Sequence, residues 1–272
     1  MNNISLGQYY PARSFIHSLD ARIKVVLAVL YIVCSFLCKN LISYSVLFAS
    51  AVVLIIISRI PFKIILRSLK PIIFILFFTV IINVFWTEGE TLLVEWWKVK
   101  VYLEGIMNAV FIGVRIMVLI VGTSIFMTYT TTPIALTDAL ESLLSPLKLF
   151  RAPVHEFAMM ITIALRFIPI LSEETSKIMA AQKSRGADFS NGGLIKRAKA
   201  LIPVLVPLFV SSFRRADELA TAMECRCYHG GEGRTKLNIP HCHLRDYISL
   251  VLMFFLGVGI VLINIYLVGY TL

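Results

Sequence analysis

The feature that most constrains this chain is a series of long apolar runs without a charged residue. Three of them cover Asn40–Ser58, Pro71–Thr87 and Tyr247–Leu272, and between Glu104 and Asp138 the only charge is Arg115. About 20 apolar residues cross a bilayer core as a helix. Only 15% of the residues are charged, against roughly a quarter in soluble domains. The chain is therefore expected to be an integral membrane protein.

We predict an all-α, polytopic fold with about five transmembrane helices, because the apolar runs do not alternate as barrel strands do. The first predicted helix is the shortest, and Lys24 near its start is expected to snorkel its amine back to the headgroups. Residues 1–130 are predicted to form the membrane domain, 131–246 a cytoplasmic coupling domain and 247–272 the last transmembrane helix. The predicted spans are about 23–38, 41–57, 71–86, 106–129 and 247–270.

The distribution of Lys and Arg between the predicted spans indicates the orientation. With the N-terminus inside, 22 basic residues fall on the inner side and three on the outer side. Even without the long region 131–246, the short inner segments carry seven basic residues against three on the outer side. Because basic residues remain on the cytoplasmic side, we expect a multi-pass protein of the bacterial cell membrane with its N-terminus cytoplasmic and its C-terminus outside. The net charge of +10 is explained by this topology, so no nucleic acid is invoked.

The region 131–246 contains apolar stretches that are interrupted in ways a membrane span would not accept. Residues 154–171 include His155, Glu156, Arg166 and Pro169, and residues 201–213 form a short run with two prolines. We interpret both as cytoplasmic or interfacial helices, with a seven-span topology as the alternative. A shorter helix is expected at about 133–149. Apolar positions recur every three or four residues along the two long helices, a pattern suited to helix crossing.

Each long helix is predicted to end in the same way, with small residues, then an arginine, then residues that stop a helix. The first end contains Ser184, Arg185 and Gly186, and the second contains Cys225, Arg226 and Cys227. An arginine at a helix C-terminus gains from the partial negative charge there and projects five donors. The alternative is that each arginine is only part of routine helix termination.

These segments resemble the transmembrane T component of energy-coupling factor transporters, a CbiQ/EcfT-like family. The family motif is Ala-Arg-Gly; here Ser184 replaces the first Ala, and Cys225 and Cys227 replace the Ala and Gly of the second copy. The resemblance spans nearly the whole chain, through Tyr10–Ser14, His17–Lys24, Thr131–Pro133, Leu143–Leu147, Leu165–Pro169, Ser184–Gly186 and Ala222–Tyr228.

The resemblance implies a non-catalytic scaffold of an ATP-driven vitamin or micronutrient importer. It implies two ABC-type ATPases and a small membrane-embedded, substrate-binding S component as partners. By the same resemblance, the two long helices cross and their tips bind the ATPases through Arg185 and Arg226, with Ser184, Gly186, Cys225 and Cys227 as the surrounding surface. The chain has no GxxxxGK[ST] loop, so ATP is expected to be bound by the partner ATPases, and no cofactor is expected here.

Other constellations have simpler interpretations. Cys225, Cys227 and His229 lack the usual spacing of a zinc site, and Arg226 between the thiols opposes a cation, so no metal is predicted. Arg115 lies within a span and must be paired inward. Asn83, other intramembrane packing or an acidic residue of the S component are its candidate partners.

An autonomous secondary transporter or channel is the alternative function, although no inverted repeat is seen. No catalytic constellation of an intramembrane hydrolase is present in the sequence.

Overall fold

The computed structural model describes residues 9–86, 92–96, 99–150, 152–187, 189, 193–230 and 242–266. It is organised into two compact units. One, the membrane unit, lies within Gly7–Ala139 and Ile239–Leu272; the other, the coupling unit, lies within Leu140–Asn238. The boundary between them falls inside helix α5, and the boundaries of the sequence-based domains stay a prediction.

The fold is all-α in its long elements, as predicted, with one small hairpin. The membrane unit contains α1 (Ala21–Leu37), α2 (Leu41–Ser58), α3 (Phe62–Trp86), α4 (Leu103–Thr123) and α8 (Leu244–Tyr266). Strands β1 (Leu92–Trp96) and β2 (Val99–Tyr102) pair antiparallel between α3 and α4. Helix α5 (Pro133–Leu143) leads to a 3₁₀ turn (Ser145–Phe150), and then α6 (Val154–Ser184) and α7 (Leu194–Cys225) form the coupling unit.

Several predicted boundaries need correction. Helix α3 begins at Phe62 rather than Pro71, with Pro71 inside it. Proline is tolerated in membrane helices because neighbouring groups satisfy the freed carbonyl. The helix expected to run to 149 ends at Leu143 and continues as a 3₁₀ turn. Residues 267–270 of the last predicted span lie outside the described residues.

Five helices are long and apolar enough to cross a membrane, by length and composition. They are α2, α3, α4 with its π-helical end, α6 and α8. This set includes α6, which the sequence analysis assigned to the cytoplasm, and leaves out the 17-residue α1. By length and hydropathy alone, α6 therefore qualifies as a span and α1 does not.

The core of the membrane unit is centred on Tyr31 of α1, which is fully buried. Its ring lies edge-on to Phe126, and a Cβ on Gly122 would lie 2.1 Å from the ring. The absence of a side chain at Gly122 therefore lets α4 approach α1 closely. Beyond Gly122, α4 changes to a π-helical turn over Ser124–Tyr129, a form that is rare and often found at functional sites.

Candidate functional site: two arginine caps

The first arginine cap is the C-terminus of α6. Arg185 occupies the C-cap position, and Gly186 follows it in the left-handed conformation with φ +87°. The backbone N–H of Gly186 donates to the carbonyl oxygen of Lys183 at 2.9 Å, and the N–H of Ala187 donates to that of Gln182 at 3.0 Å. This pair of bonds defines a Schellman motif, which satisfies carbonyls that the helix end would leave unpaired.

The second arginine cap, at the end of α7, repeats this geometry residue for residue. Arg226 is the C-cap, and Cys227 is left-handed with φ +55°. The N–H of Cys227 donates to the carbonyl oxygen of Glu224 at 2.9 Å, and the N–H of Tyr228 donates to that of Met223 at 3.1 Å. Cys227 thus adopts the conformation that Gly186 adopts in the first cap, although it carries a Cβ and Gly186 does not. The replacement of the motif's Gly by Cys227 therefore preserves the backbone conformation of the second cap.

Both arginine side chains are exposed, as are Ser184, Gly186, Cys225 and Cys227. Among the described residues, neither guanidinium has a hydrogen bond or an ion-pair partner. The two caps therefore present ten N–H donors to the surroundings of the coupling unit. Such an arrangement suits carboxylates on a partner, which bind the planar guanidinium through two parallel hydrogen bonds.

A polar contact holds α6 and α7 together within the coupling unit. Glu174 of α6 accepts hydrogen bonds from Ser211 at 2.5 Å and from Arg215 at 2.9 Å, both on α7. Little apolar surface is buried in this unit; Val154, Ala158 and Val204 are its buried apolar residues among those described. Both oxygens of one carboxylate are therefore used to fix the position of one long helix against the other.

An apolar face along α7 stays exposed. Its members share a stripe of the helix and are at least half exposed, and polar residues Arg214, Asp217 and Glu218 border it. Exposed apolar patches rimmed by polar residues mark interaction surfaces. The stripe consists of Val206, Phe209, Val210 and Phe213.

Near the start of α6, a second polar pair joins α6 to the end of α5. Nδ1 of His155 lies 3.0 Å from Oε1 of Glu141, which is buried. This pair fixes the start of α6 against the end of α5. No group of three or more metal-ligating side chains occurs among the residues that the structure describes, and Cys225 and Cys227 are free thiols on the surface.

Arg115 is bound inside the membrane unit, at the far end of α1. Its Nη2 donates to the carbonyl oxygen of Cys38, the C-cap residue of α1, at 3.1 Å, and to the hydroxyl of Tyr44. The guanidinium also lies over the rings of Phe36 and Tyr44. The candidate partner Asn83 instead donates to the carbonyl oxygen of Thr79 in its own helix. A helix C-terminus and two aromatic faces thus stabilise this charge.

The environment of Lys24 contradicts the snorkelling expectation. Lys24 is 3% exposed, and its Nζ donates to the carbonyl oxygens of Thr130 at 2.8 Å and His17 at 3.3 Å. Asp20 caps α1, since its Oδ1 accepts a hydrogen bond from the N–H of Arg22 at 2.9 Å. The segments that contain His17 and Thr130 lie over the start of α1. The Lys24 amine therefore donates to their carbonyl oxygens and not to lipid headgroups.

Sequence reasoning also missed Asp246, which is 1% exposed. Its Oδ1 accepts from the N–H of Asp20 at 2.9 Å, and its Oδ2 accepts from the N–H of His243 at 2.7 Å. One carboxylate therefore caps α8 and also binds the start of α1. We call Asp20, Lys24 and Asp246 the Asp246 cluster. An acidic third residue in α8 was the only local signal for it.

Comparison with known proteins gives the class. The family model described as "Cobalt transport protein" (CbiQ) matches residues 12–237. The chain belongs to this family, that of the transmembrane T components of energy-coupling factor transporters, as the resemblance predicted.

Curated relatives support the assignment over most of the chain. The energy-coupling factor transporter transmembrane protein of Ruminiclostridium cellulolyticum is 51% identical over 87% of this chain and 88% of its own. Those of Clostridium kluyveri and Bacillus subtilis are 48% and 45% identical, over 92% and 87% of this chain and 92% and 89% of their own lengths. This protein is thus a multi-pass membrane component of a transporter.

Proposed function

We propose that this chain is the coupling subunit of an ATP-driven importer of a vitamin or other micronutrient. In this proposal two ABC-type ATPases bind the arginine caps, and their motion is transmitted through α6 and α7 to an S component that holds the substrate. The observation that carries it is the matched pair of caps. Two exposed arginines occupy the same position of the same turn, at the ends of two helices that are joined by the Glu174 contact.

The architecture of the coupling unit supports transmission of motion. Helix α6 has 31 residues and α7 has 32, so each is about 45 to 48 Å long. Each helix is longer than the roughly 30 Å hydrocarbon core, and Ser211 and Arg215 of α7 bind Glu174 of α6, so that the two helices are tied together. The exposed apolar face of α7 is a suitable binding surface for the S component, because covering it removes apolar side chains from water.

The membrane unit supports a cytoplasmic position for residues 131–243. The start of α1 contacts the end of the π-helical turn through Lys24 and Thr130, and it contacts the start of α8 through Asp20 and Asp246. The chain therefore leaves and re-enters the membrane unit at one end, which requires an even number of crossings in between. Only α6 in that region is long and apolar enough among the described helices. Zero crossings is the consistent number, which supports α1 rather than α6 as a span.

The experiment that tests the proposal measures the ATPases retained on the affinity-purified T component, alongside substrate uptake. Arg185→Ala and Arg226→Ala should each weaken binding by about 2 kcal/mol, roughly 30-fold, because truncation leaves the partner's carboxylates unpaired. The double variant should release both ATPases. Lys at either position should give intermediate retention, because it cannot bind a carboxylate through two parallel bonds.

Arg214→Ala is the matched control for retention, since Arg214 is exposed on α7 about three turns before the cap. It should hold both ATPases. If the double alanine variant binds the ATPases as firmly as wild type, the arginines only terminate helices and the proposed coupling route is wrong.

A further inference from the structure

The 3₁₀ turn between α5 and α6 exposes large apolar side chains at the surface of the coupling unit. Leu149 is 87% exposed and Phe150 83%, and Leu147 in the same turn is also exposed. These values are close to those of Trp86 and Tyr266, each 84%, which end two helices of the membrane unit. We call Leu147, Leu149 and Phe150 the apolar turn. Side chains of this size are seldom left fully in water beside one another without a partner that covers them.

The sequence of the turn indicates which partner that is. Lys148 and Arg151 alternate with the apolar residues, giving Leu147-Lys148-Leu149-Phe150-Arg151. Apolar side chains flanked by Lys and Arg suit the boundary between acyl chains and anionic headgroups. Basic residues near the cytoplasmic leaflet gain further from its negative surface potential.

The length of chain before the turn allows it to lie close to a bilayer. The carbonyl of Thr130, bound by Lys24, marks the end of the π-helical turn that follows α4 in the membrane unit. From there to Leu147 the chain includes the 11-residue helix α5, about 16 Å long, and six further residues. Its maximum reach is therefore about 40 Å, less than the length of α6. A tether of this length allows the turn to lie at the headgroup region.

We propose that the apolar turn inserts into the surface of the bilayer, with Leu149 and Phe150 among acyl chains, and that the basic flanking sequence favours anionic headgroups. This contact anchors the start of α6 at the membrane. It adds a lipid-binding surface to the transporter role and does not depend on the arginine caps.

Fluorescence in lipid nanodiscs tests the proposal. Leu149→Cys and Phe150→Cys, each in a cysteine-free full-length chain, are labelled with an environment-sensitive dye and exposed to nitroxide-bearing lipids or to aqueous iodide. Ser184→Cys is the matched control, because it is exposed on the same helix unit about 45 Å further along α6. We expect quenching by the lipid nitroxide to be about twofold or more stronger at 149 and 150 than at 184, and stronger with phosphatidylglycerol present. Iodide should show the reverse order.

A second measurement leaves the native cysteines in place. A photo-crosslinking phenylalanine analogue at Phe150 should form phospholipid adducts in membranes, detected as a mass increase of the peptide. Equal iodide quenching at all three positions would overturn the proposal. So would protection of 149 and 150 only when the ATPases or the S component are present, or crosslinks to protein alone.

Discussion

At the scale of single residues, the left-handed position of each arginine cap is the most sensitive point of the candidate site. Gly186 has φ +87°, and a Cβ there would meet nothing within 4 Å, so only backbone strain opposes a side chain. Cys227 already bears that strain at φ +55°. The two caps have the same shape but not the same intrinsic stability.

We therefore predict opposite effects of two substitutions in the caps. Gly186→Ala should destabilise the first cap by about 1 kcal/mol, and Cys227→Gly should stabilise the second by a similar amount. The measurement is amide hydrogen exchange at Ala187 and Tyr228, whose N–H groups close the two turns. Gly193→Ala is the control, because its φ of −67° is open to any residue. Unchanged exchange at Ala187 in Gly186→Ala would contradict the prediction.

A second prediction at this scale concerns His17, which precedes α1. Its Nε2–H donates to the carbonyl oxygen of Tyr10, and its Nδ1 accepts from the hydroxyl of Ser14. Burial lowers the pKa of His17 below its ordinary value of 6.5, with nearby Lys24 acting in the same direction. Because the folded state holds the neutral form, its contribution to stability is complete above pH 6.5 and is lost as the pH falls through the lowered pKa.

Acidification from pH 7.5 to 5 should therefore lower the Tm of wild type more than that of His17→Gln. His229→Gln, at an exposed histidine in the coupling unit, is the control and should retain the wild-type dependence. Equal pH dependence in all three proteins would show that His17 is not the titrating group.

At the scale of helices, the close contact between α1 and α4 depends on glycine at position 122, which has no side chain. Gly122→Ala would place its Cβ within 2.1 Å of Tyr31, so the helices must separate or the ring must leave its site. We expect a loss of about 1 to 3 kcal/mol, typical of overpacked cores. Gly259→Ala in α8 meets nothing within 4 Å and should be neutral. The Tm of the detergent-solubilised protein distinguishes these outcomes, and equal Tm values would refute the packing argument.

The helices themselves could be predicted because each one depends on neighbouring residues in the sequence, such as a continuous apolar run. The charge-free run of α2 was located within one residue at each end, and the start of α6 was placed at Val154. The start of α3 was placed too late because Lys63, Arg67 and Lys70 precede the charge-free run, and Pro71 is in fact the tenth residue of the helix. The Asp246 cluster could not be found in this way, since its bond joins residues 226 positions apart.

At the scale of the whole molecule, we predict which side of the membrane each segment faces. A single cysteine at Glu90 should react with an impermeant maleimide in intact cells, and one at Asn191 should react only after lysis. The reason is the asymmetry of basic residues, reinforced by the shared end of α1, α8 and the π-helical turn. Labelling of Asn191 in intact cells would reopen the seven-span alternative.

The Asp246 cluster also bears on the order in which the protein matures. The N–H of Asp20 acquires its carboxylate partner only after 226 further residues have been made. At bacterial synthesis rates of about 5 to 20 residues per second, that delay is roughly 10 to 45 s. Until then the N–H of Asp20 lacks the carboxylate that it binds in the folded protein. The start of α1 is therefore completed only when the beginning of α8 has been made.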